Sequence, residues 1–148
     1  MNAHDIAAPH EAAAEAVAAL LRCELAAAET YDLAVGTFEG ACESTAAELG
    51  RIREGHRAAA AALRDRVLAH GGTPPEAAGP GGPFHAAGVG PAAVLYGLKR
   101  GEEHVTGEYE AALTDPAVHP DCKDLIRSDL LPRARARVVD LDRLMAGK

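Results

Sequence analysis

The sequence predicts an all-α protein, a four-helix bundle with one long connection between its second and third helices. Hydrophobic residues make up 48% of the 148 residues, yet aromatic residues make up only 3%. Much of the apolar content is alanine, the strongest helix former. A β-sheet would require more valine, isoleucine and aromatic side chains than this chain has. The length suits one domain, which we assign to residues 1–148.

Apolar residues recur with helical periodicity in four segments. We predict helices over residues 9–38, 41–70, 91–113 and 118–145. The second helix is expected to stop at Gly71-Gly72, with Pro74-Pro75 beyond it. The third is expected to end before Asp115-Pro116.

The connection over residues 71–90 is rich in glycine and proline. Fully extended, it spans roughly 60 Å, whereas a helix of about 28 residues is about 42 Å long. It is therefore long enough to cross the bundle from end to end, which makes helices one and three antiparallel. The alternative is a disordered linker, against which Phe84 and His85 are candidate anchors.

Helices one and three share a repeated pattern. Shifted by 78 residues, six positions match: Leu20/Leu98, Arg22/Arg100, Glu24/Glu102, Tyr31/Tyr109, Asp32/Glu110 and Ala34/Ala112. The same residue types in the same order indicate one helical hairpin used twice.

A Glu followed seven residues later by a Tyr, on the first and third helices, resembles the ferritin-like superfamily. The likeness is closest to an uncharacterised bacterial branch, whose second helix ends in a Gly-Gly-x-Pro turn, as Gly71 to Pro74 do here. In that branch the third helix carries an acidic segment that leads to a Tyr, as residues 102–113 do. The resemblance covers most of residues 20–145 and implies a single-crossover four-helix bundle.

Heptad spacing places three polar residues inside apolar stripes. The first helix gives Val17, Leu21, Glu24, Ala28, Tyr31, Val35 and Phe38. The second gives Leu49, Ile52, His56, Ala59 and Leu63, and the third gives Leu95, Leu98, Glu102, Val105, Tyr109 and Ala112. Because Glu24, His56 and Glu102 each lie near the middle of their helix, we expect them to meet in the core.

These three residues are the candidate metal ligands. A di-iron site of this superfamily uses a Glu from each of two helices and a Glu-x-x-His motif from each of the other two. Here Arg53 stands three residues before His56, and helix four has no His. These departures disfavour the full two-metal site. Two further alternatives are one iron or zinc ion held by Glu24, His56 and Glu102, or a metal-free arrangement. The latter is a hydrogen-bonded Glu-His-Glu cluster or an Arg-Glu pair, for which Arg22, Arg53 and Arg100 are candidates.

The fourth helix departs from the other three. Its stripe reads Leu131, Ala134, Val138, Leu141 and Met145, with no ligand. Pro132 lies at its midpoint and is expected to kink it. Four arginines near the C-terminus are predicted to form a solvated basic face: Arg133, Arg135, Arg137 and Arg143.

Composition also restricts the kinds of partner and the compartment that we expect for the protein. A net charge of −7 opposes nucleic-acid binding. Three cysteines without C-x-x-C spacing favour reduced thiols in a cytoplasm. Neither a signal peptide nor a membrane span is predicted. Alanine-rich faces at residues 12–14 and 58–62 predict a homodimer.

Two function classes follow. One is a ferritin-like binding or structural protein without catalysis, whose metal site has degenerated. The other is a metal-dependent oxidase or storage protein that uses the site in the middle of the bundle. The missing ligands favour the first, and no nucleophile–base pair, phosphate loop or cofactor fingerprint supports other enzymatic chemistry.

Overall fold

A computed structural model describes residues 9–79, 84 and 90–147 of the chain. These residues form α1 (Pro9–Phe38), α2 (Glu43–Ala69), α3 (Pro91–Leu113), α4 (Pro120–Leu125) and α5 (Leu131–Met145). A π-helical turn, Ile126–Leu130, joins α4 to α5, so that the two make one continuous fourth helix. The part of the chain described contains no β-strand. The predicted all-α architecture is confirmed, with helix ends within two residues of those expected.

Side-chain pairs fix the direction of the first three helices. Glu24 on α1 lies beside Tyr109 on α3, whereas Tyr31 lies beside Glu102. Rising numbers on α1 thus meet falling numbers on α3, and the two helices are antiparallel. Since α1 and α2 form a hairpin, α2 and α3 point the same way. The connection between them must therefore travel the length of the bundle, as predicted, although its residues 80–83 and 85–89, including His85, lie outside those described.

The fourth helix runs antiparallel to α2. Arg66 near the end of α2 pairs with Asp121 at the start of α4, with 2.7 Å between Nη1 and Oδ2. At the opposite end of the bundle, Arg143 on α5 pairs with Glu48 at 2.6 Å. The predicted four-helix arrangement with one crossover is thereby complete.

Two glycines end α2 where the sequence predicted. Gly71 adopts φ +78°, a conformation that favours glycine. Its N–H donates to the carbonyl of Leu68, and that of Gly72 donates to the carbonyl of Val67, both at 3.0 Å. This is the Schellman pattern, which satisfies carbonyls left free at a helix end. A β-carbon on Gly72 would lie 2.7 Å from that of Ala14, so the turn also packs closely on α1.

The π turn ends at Leu130, two residues before Pro132. Proline has no N–H to donate, which interrupts the regular helical ladder. In the π turn the N–H of Leu131 donates to the carbonyl of Ile126, five residues back instead of four. The irregularity predicted at the proline is therefore located in the turn before it.

The buried face of α5 differs from the predicted stripe at two positions. Arg137 is 6% exposed, whereas Val138 is only half-buried. Met145 is exposed, and Leu144 packs against the core in its place. The prediction that Arg137 belongs to a solvated basic face is wrong. It is a buried arginine, and the reason lies in the charges that it meets.

Phe84, in the crossover, is buried against the middle of the bundle. Its ring packs on Gly101 of α3 so closely that a β-carbon there would overlap it. The ring also lies 6.1 Å from that of Tyr31 and 5.9 Å from that of His56, centroid to centroid. Phe84 therefore anchors the crossover at the height of the candidate site.

Candidate functional site

The structure brings Glu24, His56 and Glu102 together in the core. All three are fully buried, and each comes from a different helix. Heptad phase and position along the helix, read from sequence, had placed them at one height. An apolar shell surrounds them, since each of the three helices presents an otherwise hydrophobic stripe to the interior.

The imidazole of His56 stands between the two carboxylates. Its Nδ1 lies 2.5 Å from Oε2 of Glu24, and its Nε2 lies 2.6 Å from Oε2 of Glu102. An ionised carboxylate only accepts hydrogen bonds. With both carboxylates ionised, both ring nitrogens must donate, so the ring is an imidazolium.

Two tyrosines complete the network in a reciprocal way. The hydroxyl of Tyr109 donates to Oε1 of Glu24, and that of Tyr31 donates to Oε2 of Glu102, each at 2.5 Å. The repeated Glu and Tyr of one hairpin therefore bond the Tyr and Glu of the other. Oε1 of Glu102 is the exception, since it is buried without a hydrogen-bond partner.

Burial and charge act in opposite directions on the pKa of the acid–base pair. Burial alone would disfavour the charged imidazolium, but Glu102 and Glu24 outweigh it and raise the pKa of His56 to about 9. Burial likewise disfavours the Glu24 carboxylate. The charge and hydrogen bond of His56, together with Arg137 and Tyr109, outweigh this effect and lower the pKa of Glu24. Both groups are therefore charged at neutral pH.

The tyrosines remain protonated donors. Burial raises the pKa of each hydroxyl well above its ordinary value, and the neighbouring carboxylate raises it further: Glu102 for Tyr31 and Glu24 for Tyr109. An oxygen that cannot ionise keeps its proton for the hydrogen bond. Both tyrosines are therefore core residues whose hydroxyl has a hydrogen-bond partner.

Arg137 adds a second buried positive charge. Its guanidinium packs against Gly55 of α2, where a β-carbon would lie 3.2 Å from Nη2. The positive charge lowers the pKa of Glu24. The core then holds two carboxylates and two cations, so the buried charges sum to zero, although Nη1 of Arg137 has no hydrogen-bond partner.

Arg53, in contrast, lies at the surface. Its Nη1 is 2.9 Å from Oδ1 of Asp32, and its Nε is 3.0 Å from Oε2 of Glu54. The alternative in which Arg53 bridges the buried carboxylates is therefore wrong, and His56 occupies the bridging position. Sequence reasoning missed Arg137, whose only signal was a position adjoining the apolar stripe of α5.

The residues present do not fit the di-metal centre that this type of bundle implies. Arg53 occupies the position of the Glu in the Glu-x-x-His motif of α2. On the fourth helix the buried polar residue is Arg137. A protonated guanidinium has no free lone pair and cannot be a metal ligand. His56 directs one ring nitrogen at Glu24 and the other at Glu102, so the two carboxylates lie on opposite sides of the imidazole. The three side chains therefore do not converge on one position that a metal could occupy.

Comparison with solved structures establishes the fold. A crystal structure described as ferritin like, diiron-carboxylate proteins from Bacillus anthracis str. Ames matches with a TM-score of 0.77 at 19% sequence identity. The match covers 95% of this chain and 99% of that chain. The predicted ferritin-like bundle is thereby confirmed. No family model and no curated protein matches the chain, and none of the helices described is long and apolar enough to cross a membrane.

Proposed function

We propose that this chain is a ferritin-like bundle protein that works without catalysis, with a charge-neutral polar network where a metal centre would lie. One observation carries the proposal: each ring nitrogen of His56 is bonded to a different carboxylate. The protons of the imidazolium occupy the carboxylate oxygens that would otherwise face a metal. We infer a binding or structural role in which the network holds the four helices in register.

Charge balance supports the same conclusion. Glu24 and Glu102 supply two negative charges, and His56 and Arg137 supply two positive charges. A divalent ion added to this set would be buried with two charges in excess, unless protons left. Removing the proton from His56 at pH 7, two units below a pKa of about 9, weakens metal binding about 100-fold.

The test is the protonation of the His56 ring in the presence of metal. We expect the ¹⁵N resonances of a doubly protonated imidazole at pH 7, unchanged when one equivalent of Fe²⁺ under anaerobic conditions, or of Zn²⁺, is added. Reading this one ring separates the core from any metal bound elsewhere. Loss of a ring proton on addition of either ion would overturn the proposal.

A second candidate is one iron or zinc ion held by Glu24, His56 and Glu102, which would support an oxidase or storage role. The observation that favours it is Oε1 of Glu102, a buried acceptor without a partner. In that case protein purified without added metal contains iron or zinc. The metal is lost on Glu24→Ala or His56→Ala, since each removes one of three protein ligands.

We retain the homodimer as a prediction, although fewer of the alanines are available for it than the sequence suggested. Within the alanine runs, Ala13, Ala14, Ala59 and Ala60 are buried in the bundle itself, whereas Ala58 and Ala61 are exposed. Small residues on an exposed helix face permit close approach of a second copy. Light scattering at high micromolar concentration should give the mass of two chains, and a mass of one chain would contradict the prediction.

A further inference from the structure

A second polar cluster lies at one end of the bundle, remote from the buried network. His70 caps the C-terminus of α2, and His119 caps the N-terminus of α4. Asp121 follows in the first turn of α4. One donor atom of each residue lies within 4.8 Å of the other two. No other group of three or more His, Cys, Asp or Glu residues in the described part of the chain meets that condition.

The distances suit a tetrahedral metal. Nδ1 of His119 lies 3.4 Å from Oδ1 of Asp121, and Nε2 of His70 lies 3.7 Å from the same oxygen. Ligands about 2.0–2.1 Å from a tetrahedral zinc ion are about 3.3 Å from one another. The two separations exceed this edge by small amounts. The two imidazole nitrogens lie within 4.8 Å of each other, and side-chain rotations would have to shorten that separation to bring the donors around one ion.

His70 provides independent evidence for a ligand. Only 9% of its side chain is exposed, and its Nε2 is buried without a hydrogen-bond partner. Buried polar atoms are rarely left unpaired. The unpaired nitrogen faces Oδ1 of Asp121 at a distance too long for a hydrogen bond. A metal ion between these atoms would satisfy both.

The neighbours of Asp121 leave the required oxygen in position. Arg66 binds the other oxygen, Oδ2, at 2.7 Å. The N–H of Cys122 donates to Oδ1 at 2.8 Å and fixes the orientation of the carboxylate. The ring centroids of His70 and His119 lie 4.6 Å apart, so the two imidazoles are direct neighbours.

We propose that His70, His119 and Asp121 form a binding site for one divalent ion of the zinc class, with water in the fourth position. Two imidazoles and a carboxylate are ligands that this class of ion accepts. His119 and Asp121 are partly exposed, which leaves that position open to solvent. The ion would link the end of α2 to the start of α4 and so connect the two hairpins.

The test is a calorimetric titration of chelator-treated, full-length protein with ZnCl2. We expect one ion per chain, and binding at least about tenfold weaker in His119→Ala and in Asp121→Asn. His104→Ala is the matched control, because His104 is likewise exposed and lies 3.5 Å from the carboxylate of Glu108. It should bind as the unaltered protein does. Equal affinity in His119→Ala and His104→Ala, or no binding by the unaltered protein, would overturn the proposal.

Two further measurements separate this site from the core. Glu102→Gln removes a core carboxylate and should leave the zinc stoichiometry at one. Zinc should also raise the midpoint of thermal unfolding of the unaltered protein and of His104→Ala, but not that of His119→Ala. Loss of zinc binding in Glu102→Gln that keeps the helical circular dichroism spectrum of the unaltered protein would instead assign the ion to the core. Failure of zinc to bind at His119 leaves the protonation test of His56 unaffected.

Discussion

At the scale of single residues, the buried network is held by donors whose proton cannot be lost easily. Tyr31 and Tyr109 each give one short hydrogen bond to a carboxylate on the other hairpin. A carboxylate buried without such donors would retain only His56 and the more distant Arg137 as compensation. Hydrogen bonds to charged groups are among the stronger ones in proteins. The tyrosine hydroxyls therefore contribute to stability well beyond the packing of their rings.

We expect Tyr31→Phe and Tyr109→Phe each to lower the free energy of unfolding by about 1–3 kcal/mol, since each leaves a buried carboxylate oxygen short of a donor. The repeat makes the two losses similar. Tyr96→Phe is the control, because its hydroxyl is exposed and accepts only from Arg100 at 3.1 Å. Urea unfolding monitored by circular dichroism measures all three. A loss in Tyr96→Phe as large as in the other two would contradict the assignment.

The raised pKa of His56 makes stability depend on pH. The pKa is about 9 in the folded protein and about 6.5 in the unfolded chain. The stabilisation is therefore complete below pH 6.5 and is lost as the pH rises through 9. The difference corresponds to about 3 kcal/mol. We expect the free energy of unfolding to fall by that order between pH 6.5 and 9.5.

This measurement needs a background free of one competing thiol. Hydrogen bonds from Thr45 and Ser44 lower the pKa of exposed Cys42 to about 7. This thiol therefore ionises in the same pH window, and its ionisation makes the folded protein more stable as the pH rises, opposite to the effect of His56. The comparison is therefore Cys42→Ser with Cys42→Ser/His56→Gln. The first should lose stability across the window, and the second should lose clearly less. A residual slope near pH 9 is expected in both, because burial raises the pKa of the Cys23 and Cys122 thiols to about 11. Equal slopes in the two variants would show that His56 is neutral in the folded protein.

The residues of the network differ in how far sequence predicts them. Glu24, His56 and Glu102 interrupt apolar stripes, and such interruptions are visible without a structure. Arg137 is not, because positions 137 and 138 both adjoin the seam of α5 and valine is the ordinary choice for a core. The negative charge of Glu24, whose pKa Arg137 lowers, compensates the buried arginine. That compensation depends on tertiary contacts.

At the scale of elements, the glycines of α3 have different roles. Gly101 lies under the ring of Phe84, and this contact holds the crossover against the bundle. Gly107 lies six residues further along the same helix, is exposed, and has nothing within 4 Å of the place where a β-carbon would be. Helix propensity alone would favour alanine at both positions.

We expect Gly101→Ala to lower stability by about 1–3 kcal/mol, because the methyl group overlaps the Phe84 ring. Gly107→Ala should instead raise stability by up to about 1 kcal/mol, since it improves helix propensity without a clash. Thermal unfolding of the two variants gives opposite shifts of the midpoint. If Gly101→Ala is also stabilising, Phe84 does not pack on α3 in solution.

The fourth helix shows the limit of periodicity at this scale. Its heptad pattern placed Val138 and Met145 in the core, whereas the structure buries Arg137 and packs Leu144. Pro132 predicted an irregularity in this helix. It did not predict that the irregularity would take the form of a π turn over Ile126–Leu130. A π turn contains one residue more than an α turn and rotates the faces on either side relative to each other. The predicted stripe begins at Leu131, after the turn, so its two errors lie within α5 itself. A step of three along the helix reaches Arg137 and Leu144, whereas the predicted step of four reaches Val138 and Met145.

At the scale of the whole molecule, the bundle consists of two hairpins joined through their polar centre. The hydrogen bonds of Tyr31, Tyr109 and the Nε2 of His56 all cross from one hairpin to the other. Surface pairs repeat the symmetry: Asp32 pairs with Arg53 in the first hairpin, and Glu110 with Arg135 in the second. The internal repeat predicted this relation. The symmetry between the hairpins does not extend to the second helix of each, since α2 supplies His56 and the fourth helix supplies Arg137.

Charge balance between the hairpins makes a prediction about Glu24 and Arg137. Each single substitution, Glu24→Gln or Arg137→Met, leaves one buried charge uncompensated and should cost up to about 3–5 kcal/mol. The double variant loses one charge of each sign and restores neutrality. It should therefore be less destabilised than the sum of the two, by at least about 1 kcal/mol. Because Glu24 lies on α1 and Arg137 on α5, this coupling energy measures a link between hairpins.

Urea unfolding of the unaltered protein and the three variants closes the double-mutant cycle. The matched control is Glu110→Gln with Arg135→Met, an exposed pair 3.2 Å apart within the second hairpin. Water screens that pair, so its coupling should stay below about 1 kcal/mol. If Glu24 and Arg137 couple no more strongly than the exposed pair, Arg137 does not neutralise the network. The core would then carry a net negative charge, which is the condition under which a metal ion would be favoured there.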